Sequence, residues 1–244
     1  MKQGLFTVTE NACLAKDIWR MRLRGDTSAV TAPGQFVNLK LDGFFLRRPI
    51  SVCDVEGDVL TLIYKPLGQG TRLMTSFLPG KELDVLSGLG NGFDPALSGE
   101  KPLLVGGGVG IPPLYLLCRR LVQRGVQPAV ILGFNTREEV FLEAEFRALG
   151  ASVTVLTADG SYGKKGLVTD GIRASSGYTY LYTCGPEAML KAVYQVCASS
   201  GQFSFEERMG CGFGACMGCT CKTKYGNKRI CKDGPVLTKE EILW

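Results

Sequence analysis

The sequence predicts a β plus α/β protein in three parts: an antiparallel β unit over residues 1–99, a parallel-sheet α/β unit over 100–203 and a small tail over 204–244. Three observations carry this reading. Apolar and polar residues alternate through the first hundred positions. Short apolar strands then alternate with helix-periodic stretches, and five of the ten cysteines fall within 21 residues of the tail.

In the first part, Phe6–Thr9, Ile18–Leu23, Gln35–Leu41 and Val59–Lys65 show period-two patterning or short β-rich runs. Lys81–Leu86 fits one more strand after the turn at Pro79-Gly80. Gly, Pro and Asp separate these runs at spacings typical of an antiparallel barrel or sandwich. In the second part, Pro102–Val105 reads as a buried strand leading into Gly106-Gly107-Gly108. Leu114, Leu117, Leu121 and Val122 recur at helical spacing and predict a helix over 112–124. Strand 129–132, helix 138–149, strands 153–156 and 180–182 and a helix over about 186–200 complete the alternation. Residues 205–244 are rich in Gly, Cys and Lys with little periodicity. So short a segment cannot bury enough surface to fold alone, which calls for a metal site to hold it.

Composition narrows the chemistry. A net charge of +5 with 21% charged residues is too mild to argue for nucleic acid without a concentrated patch. With no histidine, the chain excludes a Ser-His-Asp triad, His-ligated zinc, a Rieske-type cluster and His-ligated haem. Any metal site is built from thiolates or carboxylates. The start of the chain lacks the apolar stretch of a signal peptide, and no apolar run reaches membrane-spanning length, so a cytoplasmic protein with reduced cysteines is expected.

The tail cysteines are spaced Cys211-x4-Cys216-x2-Cys219-x11-Cys231. This is the plant-type 2Fe-2S arrangement, in which a tight loop supplies three thiolates and a distant position the fourth. Two irons and two sulfides need soft ligands converging on one small volume, and Gly212, Gly214, Ala215 and Gly218 let the backbone wrap that closely. A zinc knuckle is the competing reading, but zinc ribbons pair one short Cys-x-Cys step with another, and here one cysteine lies alone. Cys221 competes with Cys219 as third ligand; the x2 spacing favours Cys219.

Two other segments suggest ligands. Arg48-Pro49-Ile50-Ser51 places a guanidinium and a hydroxyl on one β-rich run, a pairing that serves the pyrophosphate and ring edge of a flavin. Tyr64 could stack on a ring, and a helix-like stretch from Gly70-Thr71 could offer N–H groups to a phosphate. Each signal alone is weak, and Tyr64 also reads as ordinary barrel packing. Gly107, Gly108 and Gly110 lie between a strand and a helix, where backbone amides would meet a dinucleotide pyrophosphate. The dinucleotide fingerprint is incomplete there, and no acidic residue ends the next strand at Gly133–Thr136. A plain glycine-rich turn stays open. Thr183-Cys184-Gly185-Pro186 ends the last strand, the position where open α/β sheets bind ligands, although Cys184 also reads as a small buried thiol.

Together these residues resemble the ferredoxin–NADP reductase superfamily and, within it, the electron-transfer subunits of NAD-dependent dihydroorotate dehydrogenases. The resemblance rests on Leu46–Ser51, Gly88–Phe93, Gly106–Pro113, Asp159–Gly163, Thr183–Pro186, Glu207–Cys216 and Cys231–Val236. It implies a six-stranded FAD-binding β-barrel, an NAD-binding α/β domain and a C-terminal 2Fe-2S domain. It implies FAD contacts at Arg48, Pro49, Ile50, Ser51, Ile63, Tyr64, Lys65, Gly70 and Thr71, and cluster ligands at Cys211, Cys216, Cys219 and Cys231; the glycine-rich turn and last strand end themselves place the expected NAD contacts at Gly107, Gly108, Gly110, Cys184, Gly185 and Pro186. It also implies an FMN-containing catalytic partner that oxidises dihydroorotate in pyrimidine biosynthesis, in a heterotetramer of two subunits of each kind. No general acid or base is required of this chain.

The alternatives are a small subunit of an NADH-dependent ferredoxin:NADP oxidoreductase or sulfide dehydrogenase, and a cluster-based redox-sensing module. Arg137 stands where a 2′-phosphate would distinguish NADP from NAD. Lys222, Lys224, Lys228, Arg229 and Lys232 form either a solvated loop or a docking face for an acidic partner.

Overall fold

The computed structural model describes residues 1–244. Strands β1 (Lys2–Ala15), β2 (Ile18–Arg24), β3 (Phe36–Leu39), β4 (Arg48–Glu56), β5 (Val59–Tyr64) and β6 (Glu82–Leu89) close into an antiparallel barrel in the order β1-β2-β5-β4-β3-β6. Closure rather than a sandwich follows from β1, which pairs with β2 along one edge and β6 along the other. Its 14 residues carry two register shifts, and such bulges bend a strand around a closing sheet. The alternating apolar positions Phe6, Val8, Met21, Leu23, Leu60, Leu62 and Val85 fill the barrel. Helix α1 (Gln69–Met74) is tied to the barrel wall through Asn11, whose Nδ2 donates to the carbonyls of Met74 (2.8 Å) and Phe77 (3.0 Å).

The second sheet takes β7 (Pro102–Gly107), β8 (Ala129–Phe134), β9 (Ser152–Thr157), β10 (Lys164–Lys165), β11 (Tyr180–Cys184) and β12 (Gly201–Ser204). The tail adds a hairpin of β13 (Thr220–Thr223) and β14 (Gly226–Arg229), then β15 (Val236–Thr238), which is the sheet's antiparallel edge. The sheet order is β10-β9-β8-β7-β11-β12-β15. Both faces are covered at its centre, so β7, β8 and β11 are buried almost throughout rather than alternating. Leu104, Val130 and Leu132 meet α2 (Pro112–Gln123) and α3 (Glu143–Ala148) on one face. Leu103, Val105 and Leu181 meet α4 (Val168–Arg173) and α5 (Glu187–Val196) on the other. Strand order reverses between β7 and β11, so their carboxyl ends open a crevice at the switch point.

Two helices are shorter than the periodicity predicts. Over 138–149, a 3-10 turn at Arg137–Glu139 precedes α3, because Leu142 adopts φ 63° and turns Phe141 inward against Phe134 (centroids 5.6 Å apart). The last helix stops at Val196, where Cys197 becomes extended. No helix is long and apolar enough to cross a membrane.

The barrel and the sheet meet along β4 and α2. Leu116 of α2 enters the barrel core. Arg119 of the same helix donates from Nη1 to Asp54 Oδ2 (3.0 Å) and from Nη2 to the Val55 carbonyl (2.5 Å).

Candidate functional site

A cleft of about 250 Å³ lies between the barrel and the carboxyl ends of the sheet strands. Pro49, Ile50 and Ser51 of β4, Ile63 and Tyr64 of β5, and Lys65 form the barrel side. They converge because β4 and β5 are antiparallel neighbours in the barrel. Cys184 at the end of β11, Ser204 at the end of β12, Glu206 and Met209 form the other side. Six of the nine residues expected around a flavin therefore line one cleft. Of the other three, Gly70 and Thr71 lie in α1 and Arg48 beside it. A side chain at Gly70 would run into Nε of Arg48, so the glycine makes the room in which the guanidinium lies. Arg48 also stacks on Phe44, 4.6 Å from the ring centroid, and donates to the Leu46 carbonyl. The Thr71 hydroxyl accepts from the Gly68 N–H and donates to the Gly68 carbonyl, both at 3.1 Å, closing the helix start.

The cleft holds its protons tightly. Burial raises the Tyr64 phenol, which donates to Asn11 Oδ1 at 3.0 Å. Burial first, then the charge of Glu206, pushes the Cys184 thiol up to about 12. It therefore stays a neutral thiol near neutral pH and is no nucleophile. Burial also raises the Glu206 carboxyl: the residue has an exposed side, yet its carboxyl is hemmed in between this cleft and a neighbouring cavity. Sequence reasoning missed Glu206, which has no motif of its own and reaches the cleft only because β12 runs parallel to β11.

A second cavity of about 330 Å³ runs over the switch point and is lined by Gly107, Gly108, Gly133 and Pro186 among others. Gly110, Cys184 and Gly185 do not line it, and Gly185 faces a neighbouring cavity instead. Gly110 is a packing glycine, since a Cβ there would lie 2.5 Å from the carbonyl carbon of Cys184 and from the Gly185 nitrogen. Pro112 and Pro113 occupy the first turn of α2 and bring no N–H, so that helix start offers few amide donors. Glu139 does line the cavity, and its Oε2 accepts from the N–H (3.1 Å) and Nδ2 (2.9 Å) of Asn135. It is an acidic group beyond the end of β8 that the strand-end reading missed, because it arrives five residues after Phe134 through the 3-10 turn. Arg137 instead lies over the Tyr162 ring, 5.9 Å from its centroid.

The four tail cysteines come in two pairs. Ala215 and Cys216 donate backbone N–H groups to Cys211 Sγ (3.2 and 3.4 Å), while Cys211 and Gly218 donate to Cys216 Sγ (3.4 and 3.5 Å). Cys231 N–H donates to Cys219 Sγ at 3.4 Å. Burial opposes ionisation of Cys211, but the amides of Cys216 and Ala215 outweigh it and lower the thiol to about 6. Burial and the adjacent Cys219 push Cys231 up to about 12. No three cysteines close on a single-ion site. Two pairs of thiols, with amides aimed at sulfur, fit two irons better than a single zinc. Cys221 stands apart on β13 opposite Lys228 and lines a cavity of about 280 Å³ beside the cleft. Of the five nearby basic residues, Lys228 pairs with Glu241 and Arg229 with Asp233 (2.9 Å), leaving Lys222, Lys224 and Lys232 free of ion pairs.

Comparison with known proteins agrees with this geometry. Residues 206–243 match the family model described as the iron-sulfur cluster binding domain of dihydroorotate dehydrogenase B, and residues 104–195 match an oxidoreductase NAD-binding domain. The chain is 44% identical to the dihydroorotate dehydrogenase B (NAD(+)) electron transfer subunit of Geobacillus sp. (strain WCH70), over 100% of this chain and 99% of the relative. It is 43% identical to the subunit of that name from Fusobacterium nucleatum, over 97% and 96%. Among solved structures, it is similar to one of an NADH-dependent reduced ferredoxin-NADP oxidoreductase, with TM-score 0.89 and 27% identity over 99% of this chain and 90% of that one. A ferredoxin NADP+ reductase from Neisseria gonorrhoeae shares the fold at TM-score 0.68 and 18% identity, over 80% and 90%.

Proposed function

From the premise that this chain belongs to the dihydroorotate dehydrogenase B electron transfer subunit family, we propose that it links a dihydroorotate-oxidising catalytic partner to NAD+. It does so with FAD in the cleft, a 2Fe-2S cluster on Cys211, Cys216, Cys219 and Cys231, and a nicotinamide dinucleotide over the switch point. When bound, flavin exchanges electrons singly or in pairs, the cluster singly and nicotinamide only as a hydride, so flavin converts between the two modes.

One observation carries the reading: the chain that walls the cleft is the chain that holds the cysteines. Met209 and Pro235 both line the cleft. Met209 precedes Cys211 by two residues and Pro235 follows Cys231 by four, so even fully extended chain puts these ligands within about 7 and 14 Å of the cleft wall.

The residues divide the work. Arg48, held beside Gly70, would meet the flavin pyrophosphate, and Pro49, Ile50, Ser51, Ile63, Tyr64 and Lys65 would bound its ring system and exclude water. Thr71 fixes the start of α1 beside them. Cys184 presents a small, uncharged face at the end of β11, with Gly185 and Pro186 turning the chain away behind it. Gly107 and Gly108 let a dinucleotide approach the backbone, while Gly110 seats that turn on β11. Glu139 would hold a ribose diol and disfavour a 2′-phosphate, which supports NAD over NADP.

We place partner docking around the cluster loop, where Phe213, Met217 and Tyr225 are exposed beside Lys222, Lys224 and Lys232. An FMN-bearing catalytic subunit in a two-plus-two assembly is the partner proposed. Anaerobic stopped-flow reduction tests the function. NADH should bleach the flavin of the isolated subunit and dihydroorotate should not, until the catalytic partner is added. A flavin-loaded sample indifferent to NADH would overturn the assignment.

A further inference from the structure

Asn38 sits in the middle of β3, directly across from Pro49 on the flavin strand. It is 1% exposed, yet its Oδ1 has no hydrogen-bond donor. A buried acceptor without a donor is costly, and a leucine of similar size would fill the site without that cost. What the asparagine offers in return is its Nδ2, which points out of the barrel wall at the cluster loop. Nδ2 lies 3.4 Å from the Cys211 carbonyl. The next residue, Gly212, has φ +78°, and any Cβ there would run into Nδ2. Two independent features, the missing side chain of Gly212 and the orphaned oxygen of Asn38, therefore converge on one contact between the barrel and the first cluster ligand.

We propose that Asn38 is a positioning residue for the iron-sulfur cluster. By holding the Cys211 carbonyl it fixes the turn in which the Ala215 and Cys216 amides point at Cys211 Sγ and the Cys211 and Gly218 amides at Cys216 Sγ. Amides directed at cluster sulfurs stabilise the extra negative charge of the reduced state and raise its potential. The residue thus couples the strand that holds the flavin to the potential of the centre beside it. This inference rests on the cluster assignment above.

The experiment compares wild type, Asn38→Leu and Asn38→Asp in the FAD- and cluster-loaded full chain. Iron and acid-labile sulfide are measured first; their absence from the wild type would sink the cluster assignment itself. With clusters present, both variants should show a lower midpoint potential and shifted EPR g-values for the reduced cluster, with an unchanged flavin spectrum. The expected shift in the one-electron equilibrium is about tenfold, or about 59 mV. Potentials and g-values equal to the wild type in both variants would overturn the proposal, since a residue that merely fills space would leave them alone. Should Asn38→Leu fail to hold its cluster, Asn38→Ser, which keeps a shorter donor, decides. An intermediate potential supports the clamp and a wild-type potential refutes it.

Discussion

Replacing Arg119 by methionine cuts the clamp between the two large units. Its partner Asp54 is buried beside a bulge in β4, and their side chains are only 18% and 10% exposed. Removing one member of such a pair strands a buried charge, which costs about 3–5 kcal/mol. The lower end applies here. Only Asp54 Oδ2 is hydrogen-bonded to the guanidinium, while Oδ1, though 2.7 Å from Nη2, and the Arg119 Nε lack hydrogen-bond geometry. Glu56, 3.6 Å away and largely exposed, adds no more than about 0.2–1 kcal/mol. A loss of about 3 kcal/mol is therefore expected in urea unfolding at pH 7.5.

The pH dependence fixes the cause. Burial raises the Asp54 carboxyl, with Arg119 opposing the rise. Folding therefore favours the protonated acid, and that contribution is lost as pH climbs from about 3.9, the unfolded value, through the folded one. Without Arg119 the carboxyl rises further, so the penalty should be largest at neutral pH and shrink on acidification toward pH 5. The double variant Arg119→Met/Asp54→Asn should recover more than half of the loss. A single variant within 1 kcal/mol of wild type at pH 7.5, or a double variant no better than the single, would refute the reasoning.

Cysteine replacement separates ligand from neighbour: Cys219→Ser should abolish the reduced-cluster EPR signal, whereas Cys221→Ser should keep full iron and acid-labile sulfide. At the switch point, Glu139→Gln should weaken NADH in steady-state KM by about tenfold, and Glu139→Arg should shift the ratio of kcat/KM values toward NADPH; an unchanged ratio in both variants would remove Glu139 from cofactor selection.

How much of this was legible in the sequence depends on how local each signal is. The four cysteines proposed as cluster ligands stand out, because a tight loop must write its thiolates and small residues close together. The strand proposed to hold flavin stands out only through the order of its neighbours, since Arg-x-x-Ser alone is common. Asn38 does not. In Phe36-Val37-Asn38-Leu39 it reads as the polar, outward member of an alternating strand, and it does point out of the barrel. The outer face is simply not solvent there, because the cluster loop covers it. Glu139 and Glu206 were missed for a related reason. Each reaches its cavity through tertiary placement, one by a 3-10 turn and the other by strand register. The β12 and β15 strands, four and three residues long, are too short for any period to declare itself.

The tail also corrects an argument from size. Forty residues cannot build a core of their own, which suggested that metal alone would hold them. The structure distributes the task instead. Ile230, Leu237 and Ile242 are buried in the same apolar cluster as Leu181 and Phe203 of the sheet and Leu190 of α5, so the tail borrows a core. Trp244 packs edge-on against Tyr194 of α5 (5.5 Å). On the barrel side, Asn91 receives the Val236 N–H (3.1 Å) and donates to the Val236 carbonyl (2.7 Å), while a Cβ at Gly90 would lie 2.5 Å from Pro235. The segment is thus gripped by both larger units before any thiolate binds iron, and least so from Ala215 to Gly218, where all four residues are exposed. On the proposed assignment, that stretch is the part of the tail left for the cluster to hold. Unlike the buried pair Cys219 and Cys231, it faces outward, so the least self-supporting turn of the chain is also the one open to a docking partner.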